Sequence, residues 1–119
     1  MNESEILVNT IIQAVQDKKG KRIVKSDLTS IGDTICNYLV VCEGNTPTQV
    51  TAIADAIEDK VRQQWSIKPI GKEGMNNSIW VVIDYGDVMA HVFVPDAREF
   101  YDLDNFWADA HKTEIPDEW

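Results

Sequence analysis

Residues 79–101 read IWVVIDYGDVMAHVFVPDAREFY, and this stretch decides the fold. Two runs rich in Val, Ile and aromatics, 79–84 and 87–94, flank Tyr85-Gly86, the pattern of a β-hairpin whose tight turn uses glycine for positive φ. Successive side chains of a strand alternate between faces. With Tyr85 and Gly86 as the loop, Asp84 is expected opposite Asp87, Val82 opposite Met89 and Trp80 opposite His91. Ile79, Val81, Ile83, Val88, Ala90, Val92 and Val94 then make an aliphatic core face. Trp80, Val82, Asp84, Asp87, Met89, His91 and Phe93 make the other face, a mixture of rings and polar tips that a helix must cover or a partner must meet.

Working outward, the clearest helix start lies upstream. Thr46 as N-cap, Pro47 at the first helical position and Gln49 at the third form a capping box. The residues that follow place Val50, Ile53, Ala54, Ile57, Val61 and Trp65 on one side, with Asp55, Glu58, Asp59 and Arg62 mostly outside. A first helix is expected over 3–17, with Thr10, Ile11, Ala14 and Val15 inward and Gly20 ending it. Residues 21–28 read as a short strand, 29–34 as a loop, and 35–42 as a central strand that is apolar on both faces. Residues 67–70 suggest another short strand and 71–77 a flexible connection. After the hairpin, Pro95 stops the ladder, Asp96 starts a short helix through Arg98, Phe100 and Tyr101, and a further turn covers 103–110. The expected domain is 1–110, with 111–119 a polar, mobile, acidic tail.

A chain of 119 residues is one domain by length, and 44% hydrophobic with 26% charged is an ordinary globular composition. No apolar run approaches the roughly 18 residues of a membrane span, and the acidic start MNESEIL lacks the layout of a secretory or transit peptide. The expectation is a cytoplasmic, whole polypeptide with no membrane contact. Cys36 and Cys42, placed on one face of a strand but too far apart to bridge, read as free thiols. The formal charge is −9, and 96–119 holds two basic and eight acidic residues. That balance disfavours direct nucleic-acid binding and suits a basic protein partner.

Several patterns could carry chemistry. Asp84 and Asp87 flank a turn and could hold Mg²⁺ for nucleotidyl or phosphoryl transfer, or simply accept turn amides. His91 between Trp80 and Phe93 could be a base, but without a nucleophile it reads as a hydrogen-bonded structural or contact residue. Gly71-Lys72-Glu73-Gly74 has the spacing of a nucleic-acid clamp but precedes a strand in an acidic chain, so a turn is expected. No cofactor or metal site emerges. What remains is a surface: Trp80, Tyr85, Phe100, Tyr101, Phe106 and Trp107 cannot all enter a core this small. Aromatic anchors rimmed by acids suit the docking of a basic protein.

At these residues the chain resembles a known family. Trp80, Asp84, Tyr85, Gly86, Asp87, Val88, His91, Val92 and Phe93, followed by REFYDL and then Trp107, Asp109 and Ala110, closely resemble the ribosomal silencing factors, also called Iojap proteins. Tyr38, Gly44, Gln49, Ile53 and Ala54 match the same pattern upstream. The resemblance implies an α/β fold, a single domain with a mixed β-sheet flanked by helices, nucleotidyltransferase-like without the activity. It implies a non-enzymatic repressor that binds the fourteenth protein of the large ribosomal subunit and blocks joining of the small subunit when nutrients are short. It also implies possible homodimers. Carried onto this chain, the contact candidates are Trp80, Asp84, Tyr85, His91, Arg98 and Tyr101. A metal-dependent transferase using Asp84 and Asp87, and a dimerisation module, stay open as other classes of function.

Overall fold

The structure, a computed structural model, describes residues 3–29, 36–103 and 111–117, and it bears out the helix start at Thr46. Thr46 is extended (φ −137°, ψ 160°), its hydroxyl accepts the Gln49 amide at 3.1 Å, and Pro47 opens the helix. Gln49 Oε1 accepts from the Asn45 amide at 2.7 Å, one residue further back than a strict capping box. Its Nε2 donates to the carbonyls of Lys18 and Lys19, so one side chain ties this helix start to the end of the preceding helix.

The elements run α1 (Glu3–Asp17), β1 (Lys21–Asp27), β2 (Tyr38–Glu43), α2 (Pro47–Trp65), β3 (Gly71–Glu73), β4 (Trp80–Asp84), β5 (Val88–Phe93), α3 (Pro95–Tyr101) and β6 (His111–Ile115). The strands form one six-stranded mixed sheet in the order β3-β4-β5-β2-β1-β6. β2 is central and buried along its whole length, as its two-sided apolar sequence requires. It pairs parallel to β5, from Tyr38 with Val88 to Glu43 with Phe93, while the other pairings are antiparallel.

Helices cover both faces of the sheet. Leu7, Val8, Ile11 and Val15 of α1 and Val50, Ile53, Ala54, Ile57 and Val61 of α2 pack on Val40, Val81, Ile83, Val88, Ala90 and Val92 of the sheet. The opposite face carries a smaller cluster, Leu28, Cys36, Leu39, Val41, Phe93 and Ala97, under α3. Among the described residues no helix is long and apolar enough to cross a membrane.

The structure corrects several expectations. The hairpin pairs Trp80 with Phe93, Val82 with His91 and Asp84 with Met89. The Tyr85 amide donates to the Val88 carbonyl at 2.9 Å, so the loop is Gly86-Asp87, one residue later than expected. Gly86 takes the first central position at φ +88°, which matches the strand twist and which only glycine adopts without strain. The two-face sorting survives in β4 and β5, because the shift moves pairing by an even number. Ile79 does not follow it. Ser78 sits at φ +55°, the alternation begins only at Trp80, and Ile79 packs with the α3-side cluster.

β3 occupies 71–73 in place of 67–70, inside the expected connection. The GxxG run is therefore an edge strand and the turn after it. Residues 111–115, expected as mobile tail, form the opposite edge, β6, antiparallel to β1. Cys36 and Cys42 are both buried and neither forms a disulfide, but they lie on opposite faces, because Cys36 precedes β2 and packs under α3. Burial raises Cys36 to about 11 and Cys42 to about 12. The αL position after α1 is Lys19, not Gly20. Trp65 is partly exposed, with its indole N–H donated to Thr10 Oγ1 at 2.8 Å. The expected turn over 103–110, with Phe106 and Trp107, falls largely outside the described residues.

Candidate functional site

Trp80 opens β4 and Phe93 closes β5, and as direct cross-strand partners they share the α3 side of the sheet. Their rings stack with centroids 5.0 Å apart and planes at 20°. Phe93 is fully buried at 0% exposure and gives Trp80 a rigid floor. The Trp80 indole N–H donates to His91 Nδ1 at 3.0 Å, which fixes the plane of the indole. This bond also requires the His91 proton to sit on Nε2. His91 is 6% exposed, and burial lowers its pKa from 6.5 to about 4, so the ring is neutral at neutral pH and keeps Nδ1 free to accept.

α3 completes the cluster. Tyr101 lies over Trp80 with centroids 4.6 Å apart, and Phe100 meets Tyr101 edge-on at 5.1 Å and 83°. Exposure rises along the chain of rings: Trp80 is half-buried, Tyr101 is 52% exposed and Phe100 81%. Asp96 and Glu99 of the same short helix and its C-cap Asp102 are exposed, Glu99 and Asp102 lining a groove toward Arg22 and Lys112. The arrangement is an apolar anchor continuous with the core that ends in solvent on a helix with exposed carboxylates. It can dock a protein surface, since aromatic groups held rigid lose little entropy on binding and the acids steer a basic partner.

The six contact candidates do not converge. Trp80, His91 and Tyr101 come together as one cluster. Arg98 lies beneath it at 3% exposure, its Nη1 donating to the Arg22 carbonyl at 2.6 Å and to Glu43 Oε1 at 3.2 Å. Asp84 and Tyr85 stand at the other end of β4, about 13 Å along the strand at 3.3 Å per residue. Tyr85 turns to the α1/α2 side and packs into the larger core, where burial and then Glu58 raise it to about 12. Asp84 Oδ1 accepts the Gly86 amide at 2.7 Å, the turn role weighed for it, while Asp87 is exposed with the Ser4 hydroxyl 3.5 Å away. Among the described residues no three of His, Cys, Asp and Glu gather to hold a metal ion. Phe93, Phe100 and Glu43 were not among the candidates, although strand parity already placed Phe93 on the Trp80 face.

A family model described as ribosomal silencing factor during starvation matches residues 1–118. The chain belongs to the ribosomal silencing factor family. The ribosomal silencing factor of Halalkalibacterium halodurans is 37% identical, over 97% of this chain and 96% of its own. That of Bacillus subtilis is 36% identical, over 92% and 91% respectively. Among solved structures, a crystal structure of a Chromobacterium violaceum protein superposes with a TM-score of 0.84 at 29% identity, over 98% of this chain and 97% of that one. The first two of these relatives are silencing factors by name.

Proposed function

We propose that this protein represses translation by docking on the large ribosomal subunit through that subunit's fourteenth protein, so that its bulk keeps the small subunit from joining. It works in the cytoplasm, under nutrient limitation, without catalysing a reaction. Family membership supports the ribosome as target. The single observation that carries the docking mode is the Trp80–Tyr101–Phe100 cluster, rigid at its base and exposed at its tip on a helix that also bears the exposed Asp96 and Glu99. Such an anchor complements a basic protein surface, and an acidic chain is repelled by the surrounding RNA phosphates, which narrows where it can land. Trp80 and Tyr101 make contact in this reading, while His91 holds Trp80 in place. Asp84, at the far end of β4, is a second point of contact where the partner spans that strand, while Tyr85, buried in the α1/α2-side core, serves the fold.

Co-sedimentation with purified large subunits tests this. Trp80→Ala and Tyr101→Ala are each expected to weaken binding by about 2 kcal/mol, roughly 30-fold, the loss typical of an aromatic hot spot. Both should also restore subunit joining followed by light scattering. Wild-type binding by both variants would overturn the proposal. The exposed rings also suit self-association through the same face, in which case added large subunits dissolve the homodimer.

A further inference from the structure

Arg98 is buried where a contact residue should be exposed, and that placement carries an inference resting on the docking mode proposed above. α3 has seven residues, too few for a helix to be stable by itself. Its N-cap position, Val94, makes no side-chain cap bond, and its buried residues are Ala97 and Arg98. Alanine buries little area, so the orientation of α3 depends on what grips Arg98.

Two rigid parts of the sheet do so. Glu43, at the end of the fully buried β2, is itself buried and offers Oε1 to Arg98 Nη1 at 3.2 Å and to Arg22 Nη1 at 3.1 Å. The second hydrogen of Arg98 Nη1 goes to the Arg22 carbonyl at 2.6 Å. Arg22 sits at φ +50°, where the β1–β2 register shifts between Lys21 and Val24, and a non-glycine residue there is strained. The carbonyl that this irregularity carries is the one that receives Arg98. Residues 22, 43 and 98, from three separate elements, thus meet at one guanidinium. On a helix, positions three apart lie on neighbouring stretches of one face. Arg98 pointing inward therefore sets Tyr101 over Trp80 and leaves Phe100 outward, as observed.

We infer that Arg98 is a positioning residue: clamped by Glu43 and the Arg22 carbonyl, it fixes the rotation of α3 and so builds the aromatic docking surface without touching the partner. Arg98→Lys keeps the charge but its ammonium falls one bond short of Nη1, the nitrogen that reaches both acceptors, and Glu43→Gln keeps the shape but loses the charge. Both variants should speed hydrogen exchange of the Arg98 and Asp102 amides, which bond to Val94 and Arg98 carbonyls, while amides of β2 and β5 stay protected. Docking to large subunits should weaken about tenfold, the effect of losing a charged hydrogen bond worth about 1.4 kcal/mol.

A merely structural residue and a positioning residue differ in a double-mutant cycle. Arg98→Lys combined with Tyr101→Ala should bind no more weakly than Tyr101→Ala alone, because the residue acts through that ring. Additive losses, or unchanged exchange in α3, would overturn the inference. Should Arg98→Lys fail to fold, shown by lost protection in β2 and β5, Glu43→Gln carries the same cycle. Full docking by Arg98→Lys beside a defective Tyr101→Ala overturns this inference alone. Full docking by Tyr101→Ala overturns the docking mode and the inference with it.

Discussion

The two faces of the sheet are built by different rules. On the α1/α2 side, two long amphipathic helices lay aliphatic stripes over Val and Ile, and the interface is closed mainly by area, with side-chain bonds such as Gln49 to Lys18 and Trp65 to Thr10 at its margins. On the α3 side, a single short helix covers only part of the sheet, its place set by directed bonds from Arg98 to Glu43 and to the Arg22 carbonyl, and the indole beneath it is oriented by the bond from Trp80 to His91. The first face holds the domain together. The second holds a few rings in a chosen orientation with their outer edges uncovered, which area burial alone would not permit. A domain that must present apolar groups to a partner gains from separating these tasks, because the presenting face can be incomplete without loosening the fold.

Three measurements would break or sharpen that division. The largest effect is expected from Ile57→Ala, a fully buried truncation on the α1/α2 side that should cost about 3 to 4 kcal/mol in urea unfolding. Phe100→Ala on the other side, mostly exposed, should change stability by less than about 0.5 kcal/mol. Comparable losses at the two positions would erase the distinction.

Next comes a pH effect tied to His91. Its folded pKa, about 4, lies below its ordinary 6.5, so the unfolded chain binds the extra proton between those values. The stabilisation is therefore whole above pH 6.5 and is lost as pH falls toward 4, by about 3 kcal/mol. Unfolding of wild type and His91→Gln at pH 7 and pH 4 reads it as a difference in slope, and equal slopes would mean the ring is not held neutral by burial. The third, Trp80→Phe, keeps a ring on Phe93 but removes the N–H that His91 accepts. A loss of about 1 kcal/mol is expected, smaller than that of Ile57→Ala because one bond is lost and Trp80 is only half-buried.

The same division governs what could be read from the chain. The α1/α2 side was legible because periodicity and capping are local: Thr46, Pro47 and Gln49 announce α2, and Val50 to Val61 show the buried stripe. The hairpin was legible as two sorted faces, but not in register, since a single glycine fits either the first or the second turn position and nothing adjacent decides. The edge strands escaped for a different reason. β3 is exposed at all three residues, and β6 reads HKTEI, so neither carries the apolar alternation by which a strand is known. The α3 side was legible in its rings and illegible in its wiring. Arg98 looks like a surface residue until Glu43, fifty-five positions earlier, is brought under it.

The pairing of β2 with β5 joins Tyr38 to Val88, so the central ladder closes only after the forty-nine residues between them have been made. Synthesis delivers α1, β1, β2 and α2 first, and Trp80, Phe93 and Tyr101 all come from the last third of the polypeptide. A nascent chain therefore lacks the aromatic cluster, which assembles only once the polypeptide is finished.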